Sequence, residues 1–324
     1  MLLKNTVRKM SNHSVLGIDT SNYTTSSALY ENGQMFMEKL LLPVEEGHRG
    51  LRQSDAVFLH TKQLPLVLSG LPLKDKKINA IGVSVSPRDM EDSYMPVFTV
   101  GENLAKILSD IFSASLYKFS HQAGHIAAAL YSAQRLDLLN EKFIAFHLSG
   151  GTTEAVLVEP DSEKIIKAKI IAESLDLKAG QAVDRCGVMM GLKFPAGKEI
   201  SDLALLWDEK IKYTPSMKGA NVSLSGIENK YRKMFEENEP KEKIARFCIE
   251  AVCESVSKMC EKLLLEYGEM PVLFAGGVSS SVIIKEKLSK KFGAIFALPQ
   301  YSQDNAAGVA VLASEAMKRG ILPW

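Results

Sequence analysis

The feature that most restricts this chain is a pattern that occurs twice. Val15 to Ile18 is a short apolar run ending in Asp19-Thr20-Ser21-Asn22-Tyr23-Thr24-Thr25-Ser26-Ser27, after which Ala28 to Tyr30 is strand-like again. Phe143 to Leu148 is a second apolar run, followed by Ser149-Gly150-Gly151-Thr152-Thr153 and then Ala155 to Val158. Apolar β-branched and aromatic runs bounded by Ser, Thr and Gly read as strands joined by tight polar turns. Two such hairpins over a hundred residues apart imply a duplicated architecture, one copy in each half of the chain. Asn32-Gly33 marks a further hairpin turn.

Elsewhere strands alternate with helices. Ile78 to Val85, Leu116 to Phe119, Val272 to Phe274 and Ala294 to Leu298 read as buried strands, with Ile165 to Ile171 pairing onto the second hairpin. Ser54 to Ser69, Val100 to Phe112, His121 to Gln134, Ser281 to Phe292 and a segment opened by Asp304 and running to Lys318 read as helices. The stretch from Asp176 to Glu266 is mainly helical, with loops near Lys193 to Gly197 and Tyr213 to Gly226. That alternation is the signature of an α/β fold with a largely parallel or mixed sheet. At 324 residues the chain exceeds one comfortable core, so two lobes are expected. The boundaries expected are 1–142 for the N-terminal lobe, 143–303 for a C-terminal lobe with a helical insertion, and 304–324 for a helix packing back toward the first.

The net charge of +1 supplies no global field for nucleic acid or an anionic membrane, so an RNA partner must be met by a local patch or through partner subunits. Cys186, Cys248, Cys253 and Cys260 contain no Cys-x-x-Cys pair and read as small buried apolar residues in a reducing compartment. No apolar run reaches the ~20 residues of a membrane span, and the polar, basic start has no signal-peptide core, with Met1 or Met10 as the native start. A cytoplasmic protein without membrane attachment is expected.

Three groups of residues can carry chemistry. His121-Gln122-Ala123-Gly124-His125 places two imidazoles four apart on one helix face, which suits one metal ion or, equally, two ordinary histidines at a helix start. Gln122 cannot be the general base of a zinc peptidase, which disfavours proteolysis. Asp304 is an N-cap by position, and a third metal ligand if it reaches the same ion. Two histidines and a carboxylate would leave positions open for substrate on iron or zinc. The glycine turns Ser149-Gly150-Gly151-Thr152 and Ala275-Gly276-Gly277-Val278 let backbone N–H groups approach a phosphate.

These motifs in this order, with Gly180-Gln181-Ala182-Val183-Asp184-Arg185 and Phe194-Pro195-Ala196-Gly197, resemble the tRNA threonylcarbamoyladenosine synthase family, once labelled glycoprotease. The resemblance runs from Val15 to about Lys318. It implies a two-lobed actin-like, sugar-kinase-like fold with a central nucleotide cleft. It implies transfer of a threonylcarbamoyl or carbamoyl group from an acyl-adenylate to an amine, N6 of an adenosine beside the tRNA anticodon. By motif, His121, His125 and Asp304 match the ligands of one divalent metal, iron or zinc. Leu148, Ser149, Gly150 and Gly151 match the phosphate loop and Gly276 and Gly277 the adenine-side loop, Thr152 and Ser281 are candidates at the ends of those two loops, and Asp184 and Gly197 match the nucleoside and acyl positions. Asp184 is the catalytic candidate, orienting or deprotonating groups near the substrate. The partners implied are tRNA, a homologous non-catalytic subunit and a small ATPase.

The substrate shell departs from the family pattern. Ser86-Pro87-Arg88-Asp89 replaces Gly-Pro-Gly, Thr152 a histidine, Gln181 a glutamate, Arg185 a lysine, Ala196 a glycine and Ser281 an asparagine. A diverged paralogue is implied. The alternative readings are a non-catalytic nucleotide-binding subunit and, further off, a metallopeptidase.

Overall fold

The computed structural model describes residues 13–21, 23–43, 51–90, 93–209, 211–302 and 305–324. Met1, Met10, Asn22 and Asp304 lie outside them. Two compact units emerge, one from the described residues of 1–124 and 304–324, the other from those of 125–303.

The first unit is built on a five-stranded sheet in the order β3-β2-β1-β4-β5, formed by β1 (Ser14–Ser21), β2 (Thr24–Glu31), β3 (Gln34–Leu41), β4 (Ile78–Ser86) and β5 (Ser115–Ser120). β1, β2 and β3 form an antiparallel meander, and β1, β4 and β5 run parallel. α1 (Gln53–Ser69) and α2 (Phe98–Phe112) cover the sheet. Leu16, Ile18, Leu29, Ile81 and Val83 of the strands form one core with Leu64 and Val67 of α1 and Ala105 of α2. Pro65 is accommodated inside α1.

The helix α3 (His121–Ser132) leaves β5 and runs from the first unit into the second. The second sheet has the order β12-β11-β6-β7-β8, from β6 (Phe143–Leu148), β7 (Thr153–Asp161), β8 (Ile165–Glu173), β11 (Val272–Ala275) and β12 (Ile295–Phe296). Again the first three strands are an antiparallel meander and the rest are parallel, with β11 beside β6. Strand for strand this repeats the topology of the first sheet, the physical form of the recurrence in the sequence. The strand expected over Ala294 to Leu298 shrinks to Ile295–Phe296.

Between β8 and β11 come α4 (Ala179–Met189), α5 (Gly197–Leu205), a small hairpin of β9 (Ser216–Lys218) and β10 (Asn221–Ser223), α6 (Ser225–Glu236) and α7 (Lys241–Tyr267). The hairpin lies in the segment expected to be a loop. α8 (Val282–Phe292) links β11 to β12. The core of the second unit centres on α7, whose Ile244, Phe247, Val252, Val256 and Leu263 are buried with Phe146, Leu148 and Phe274 of the sheet. All four cysteines are buried thiols in this core. Burial pushes Cys253 and Cys260 up to about 12, so they stay protonated and serve as packing. Glu250 of α7 is buried, and Arg246 and Lys287 of α8 neutralise it; an unpaired carboxylate there would carry a large desolvation cost.

The last helix, α9 (Ala307–Lys318), belongs to the first unit and packs on β1 and β4. Glycine makes this possible. A Cβ on Gly17 would sit 2.3 Å from the Ala306 carbonyl oxygen, and one on Gly82 would sit 2.1 Å from that of Val309. The helix starts at Ala307 rather than at Asp304, and Asn305 Oδ1 accepts the Ala307 N–H at 3.0 Å. Asp304, expected to open this helix, lies outside the described residues. Among the described residues no helix is long and apolar enough to cross a membrane.

Gly82→Ala will push α9 off the sheet and lower stability by about 1–3 kcal/mol in urea denaturation. Gly226→Ala, where a Cβ meets nothing within 4 Å, will be neutral or slightly stabilising.

Candidate functional site

Two strands of the second sheet end side by side. β6 and β11 are parallel neighbours, with Val272 opposite Ile144 and Ala275 opposite His147. Their carboxyl ends therefore lie together, where open α/β sheets place ligands. The turn Ser149–Thr152 leaves β6 and is closed by Ser149 N–H donating to Thr152 O at 2.8 Å and Thr152 N–H donating to Ser149 Oγ at 3.0 Å. Gly276 leaves β11 at φ +99°, in the region that favours glycine. Its backbone presses on Leu148: a Cβ there would lie 2.2 Å from the Leu148 carbonyl oxygen.

The amino end of α4 joins the same corner. Gly180 N–H donates to Ser149 O at 3.0 Å, and a Cβ on Gly180 would be 2.5 Å from Gly150 N. Ala179 N–H donates to Thr153 Oγ1 at 2.8 Å. Gln181 Oε1 accepts the Lys178 N–H at 3.3 Å, satisfying one of the helix's orphan donors. Leu148, Ser149, Gly150, Gly151, Thr152, Gly276 and Gly277 are thus assembled around two turns and a helix start.

Two kinds of glycine occupy this corner. Gly180 and Gly276 are demanded by backbone contact inside the protein. Gly150, Gly151 and Gly277 are not, and neither is Gly197 at the start of α5: a Cβ at any of them meets nothing within 4 Å, and none has the positive φ seen at Gly276. Internal packing does not require glycine at any of them. Ser281 has an unengaged side chain. It occupies the N-cap of α8 but makes no side-chain cap hydrogen bond. Its Oγ is buried with no hydrogen-bond partner among the described residues, a cost that bound polar groups would relieve.

Asp184 lies on the second turn of α4. Its Oδ1 accepts the Ala196 N–H at 2.8 Å, so this carboxylate holds the Pro195-Ala196-Gly197 segment at the start of α5. Arg185, beside it, pairs with Glu228 at 2.8 Å.

The histidines are held differently. His121 belongs to the first unit, where Nδ1 lies 2.8 Å from Asp19 Oδ2. Asp19 ends the apolar part of β1 and is 1% exposed; it also accepts Ser21 N–H at 2.9 Å and the Ser84 hydroxyl. Burial pushes its carboxyl up, but the charge of His121 and the hydrogen bonds from His121, Ser21 and Ser84 outweigh that and leave it below the usual carboxylate range. The loop Ser86-Pro87-Arg88-Asp89 braces the start of α3, with Gln122 N–H donating to Pro87 O at 3.1 Å and Ser120 Oγ to Asp89 Oδ2 at 3.0 Å. His125, four residues along α3, lies in the second unit with its ring 5.3 Å from that of His147. Among the described residues no three His, Cys, Asp or Glu side chains surround one point.

A sequence model described as tRNA N6-adenosine threonylcarbamoyltransferase matches residues 73–311. The chain belongs to that family. Enzymes bearing that name from Thermosipho africanus and Bacillus subtilis are each 28% identical to it, over 95% of this chain and 95% and 91% of theirs. The family is one of transferases, and an identity this low fits a diverged paralogue. Solved structures extend the likeness to the fold. The activator of the 2-hydroxyisocaproyl-CoA dehydratase from Clostridium difficile, with bound ADPNP, matches with a TM-score of 0.53 at 14% identity, over 95% of this chain and 96% of that one. A ROK family glucokinase from Streptomyces griseus, in complex with glucose and AMPPNP, matches with a TM-score of 0.52 at 11% identity, over 94% and 99%. T. kodakarensis HypF matches with a TM-score of 0.59 at 12% identity, over 96% of this chain and 48% of that one. The fold is the actin-like, sugar-kinase-like α/β fold.

Sequence reading missed Asp19 as a partner of His121 and Gly180 as part of the turn cluster. The partners of the first pair are 102 residues apart, and no local pattern links them. Gly150→Ala and Gly277→Ala will leave the thermal midpoint nearly unchanged yet weaken adenine-nucleotide binding about tenfold by calorimetry, the loss of one charge-assisted contact. Gly276→Ala will lower the midpoint itself.

Proposed function

We propose that this chain transfers a threonylcarbamoyl or carbamoyl group from an acyl-adenylate to N6 of an adenosine beside a tRNA anticodon. The observation that carries the reading is the corner of the second unit. There, glycines that packing does not require adjoin a buried, unpartnered Ser281 hydroxyl. Backbone N–H groups at Gly150, Gly151, Gly277 and Val278 suit a nucleotide phosphate, and the start of α4 adds a favourable dipole. In the reaction the N6 amine attacks the carbonyl carbon. A C–N bond forms, the C–O bond to the adenylate phosphate breaks, N6 loses a proton, and AMP leaves. Phosphate-facing N–H groups stabilise the charge gathering on the leaving group. Asp184, whose Oδ1 holds the Ala196 N–H, is given the role of orienting or deprotonating groups near the substrate.

The reading gives His121, His125 and Asp304 one divalent metal ion, iron or zinc. The donor chemistry of His121 fits. In its neutral form, with Nδ1–H donating to the Asp19 carboxylate, His121 would present the Nε2 lone pair, the usual arrangement behind a metal-bound imidazole. The metal, when bound, supplies a Lewis acid for the substrate's oxygens. The chain's own part is to hold that imidazole in place with Asp19, Ser21 and Ser84.

His121→Ala will lose the metal in elemental analysis, while Asp19→Asn will keep it but weaken its affinity about 10–100-fold in chelator competition. An unchanged metal content in His121→Ala would refute the ligand assignment. For the reaction, the purified chain with threonylcarbamoyl-adenylate and tRNA will yield N6-threonylcarbamoyladenosine by mass spectrometry of digested nucleosides. An unmodified adenosine, with donor bound and metal present, would sink this acceptor.

A further inference from the structure

β6 is the central strand of the second sheet, and His147 is its one polar residue. Central strands covered on both faces are apolar almost throughout, so a histidine at this place calls for a reason. Ile144, Phe146 and Leu148 belong to the core around α7. Side chains alternate along a strand, so His147 leaves the opposite face. There it meets His125 of α3, with ring centres 5.3 Å apart and planes tilted by 40°. Both histidines are half-buried, and both belong to the second unit.

As packing alone, apolar side chains would serve as well, without polar nitrogens to satisfy. What two imidazoles add is a pair of nitrogen donors. An ion held at about 2.0–2.1 Å by one nitrogen of each ring lies about 3.2 Å from each ring centre, and a tetrahedral angle then sets the centres about 5.2 Å apart. The observed spacing of 5.3 Å meets that requirement. Glu154 of β7 stands directly opposite His147 and is 6% exposed. Its side chain leaves the same face of the sheet, about 4.5–5.5 Å from His147 at Cβ. An imidazole has two nitrogens. One can serve the carboxylate while the other serves an ion, which is how metal-bound histidines are usually supported.

We infer that His147 is a further ligand of the metal ion proposed at His125. This rests on the metal reading above and adds to it a donor from β6. Imidazole nitrogen favours zinc, iron or another transition metal over magnesium, and two such donors leave positions open for substrate oxygens. His147 lies two residues before Ser149, about 7 Å along the strand, so it ties the ion to the turn proposed for the phosphate.

The test strips the full-length chain with a chelator and titrates it with cobalt(II), whose visible bands report its ligands. His147→Ala will weaken cobalt binding in competition with a chelating dye by more than the roughly 10–100-fold typical of an outer partner. The thermal midpoint of the metal-free variant will match that of the metal-free parent. His147→Cys will bind cobalt and add an intense near-ultraviolet sulfur-to-cobalt band that the parent and His147→Ala lack. The native cysteines are buried, and the parent spectrum records anything they contribute. Unchanged cobalt affinity and spectrum in His147→Ala would overturn the role of His147 and leave the ion to the donors proposed above. Weakened binding with a lowered metal-free midpoint, and no sulfur band in His147→Cys, would make His147 a structural contact and likewise overturn it. No cobalt bound by the parent would overturn both readings.

Discussion

The backbone of Gly276 lies against the carbonyl of Leu148, and the candidate site depends on that contact. With no side chain at Gly276, the turn after β11 can fold over the end of β6, at a positive φ that other residues adopt only under strain. Gly180 repeats the device on the other side, bringing the start of α4 onto Ser149 and Gly150. Backbone from three segments far apart in sequence is thereby brought together, held by contacts too close for any side chain. Sites built on main chain in this way keep their geometry when surrounding side chains change. That is consistent with a chain that keeps its glycine turns while Thr152, Gln181, Arg185 and Ser281 depart from the family pattern.

The same economy of space recurs in the first unit, where Gly17 and Gly82 let α9 approach the sheet. Both sheets have one topology, an antiparallel meander followed by parallel strands. In each, the parallel step requires a crossover helix, α2 in one and α8 in the other, and the carboxyl ends of the parallel strands are left open for function. The units differ in what is inserted. The helices between β8 and β11 give the second unit a core around α7.

Buried charge is handled consistently. Asp19 is surrounded by donors that favour its ionised form, and Glu250 by two cations. Each sits where an unpaired carboxylate would be expensive. Asp19 fixes an imidazole near the end of β1, while Glu250 ties α7 to α8. One serves a site and the other the packing, although both are acidic residues in apolar surroundings.

Much of this was open to the sequence. Periodicity and turn residues located nearly all strands and helices, because apolar runs between Ser, Thr and Gly clusters have few ways to fold. The duplication was legible for the same reason, and the glycine turns were legible because conformational permissiveness is a property of the residue itself. Tertiary structure decided what depends on distance in space. It separated glycines required by packing from those left open, turned Asp184 toward the Ala196 N–H, set Asn305 Oδ1 against the Ala307 N–H, and paired Asp19 with a histidine from another element. It also set the ring of His147 beside that of His125. A sequence specifies what each residue is able to do. Which partner lies within three ångströms of it is settled only when distant segments pack, since hydrogen bonds and steric contacts act over that range and no further.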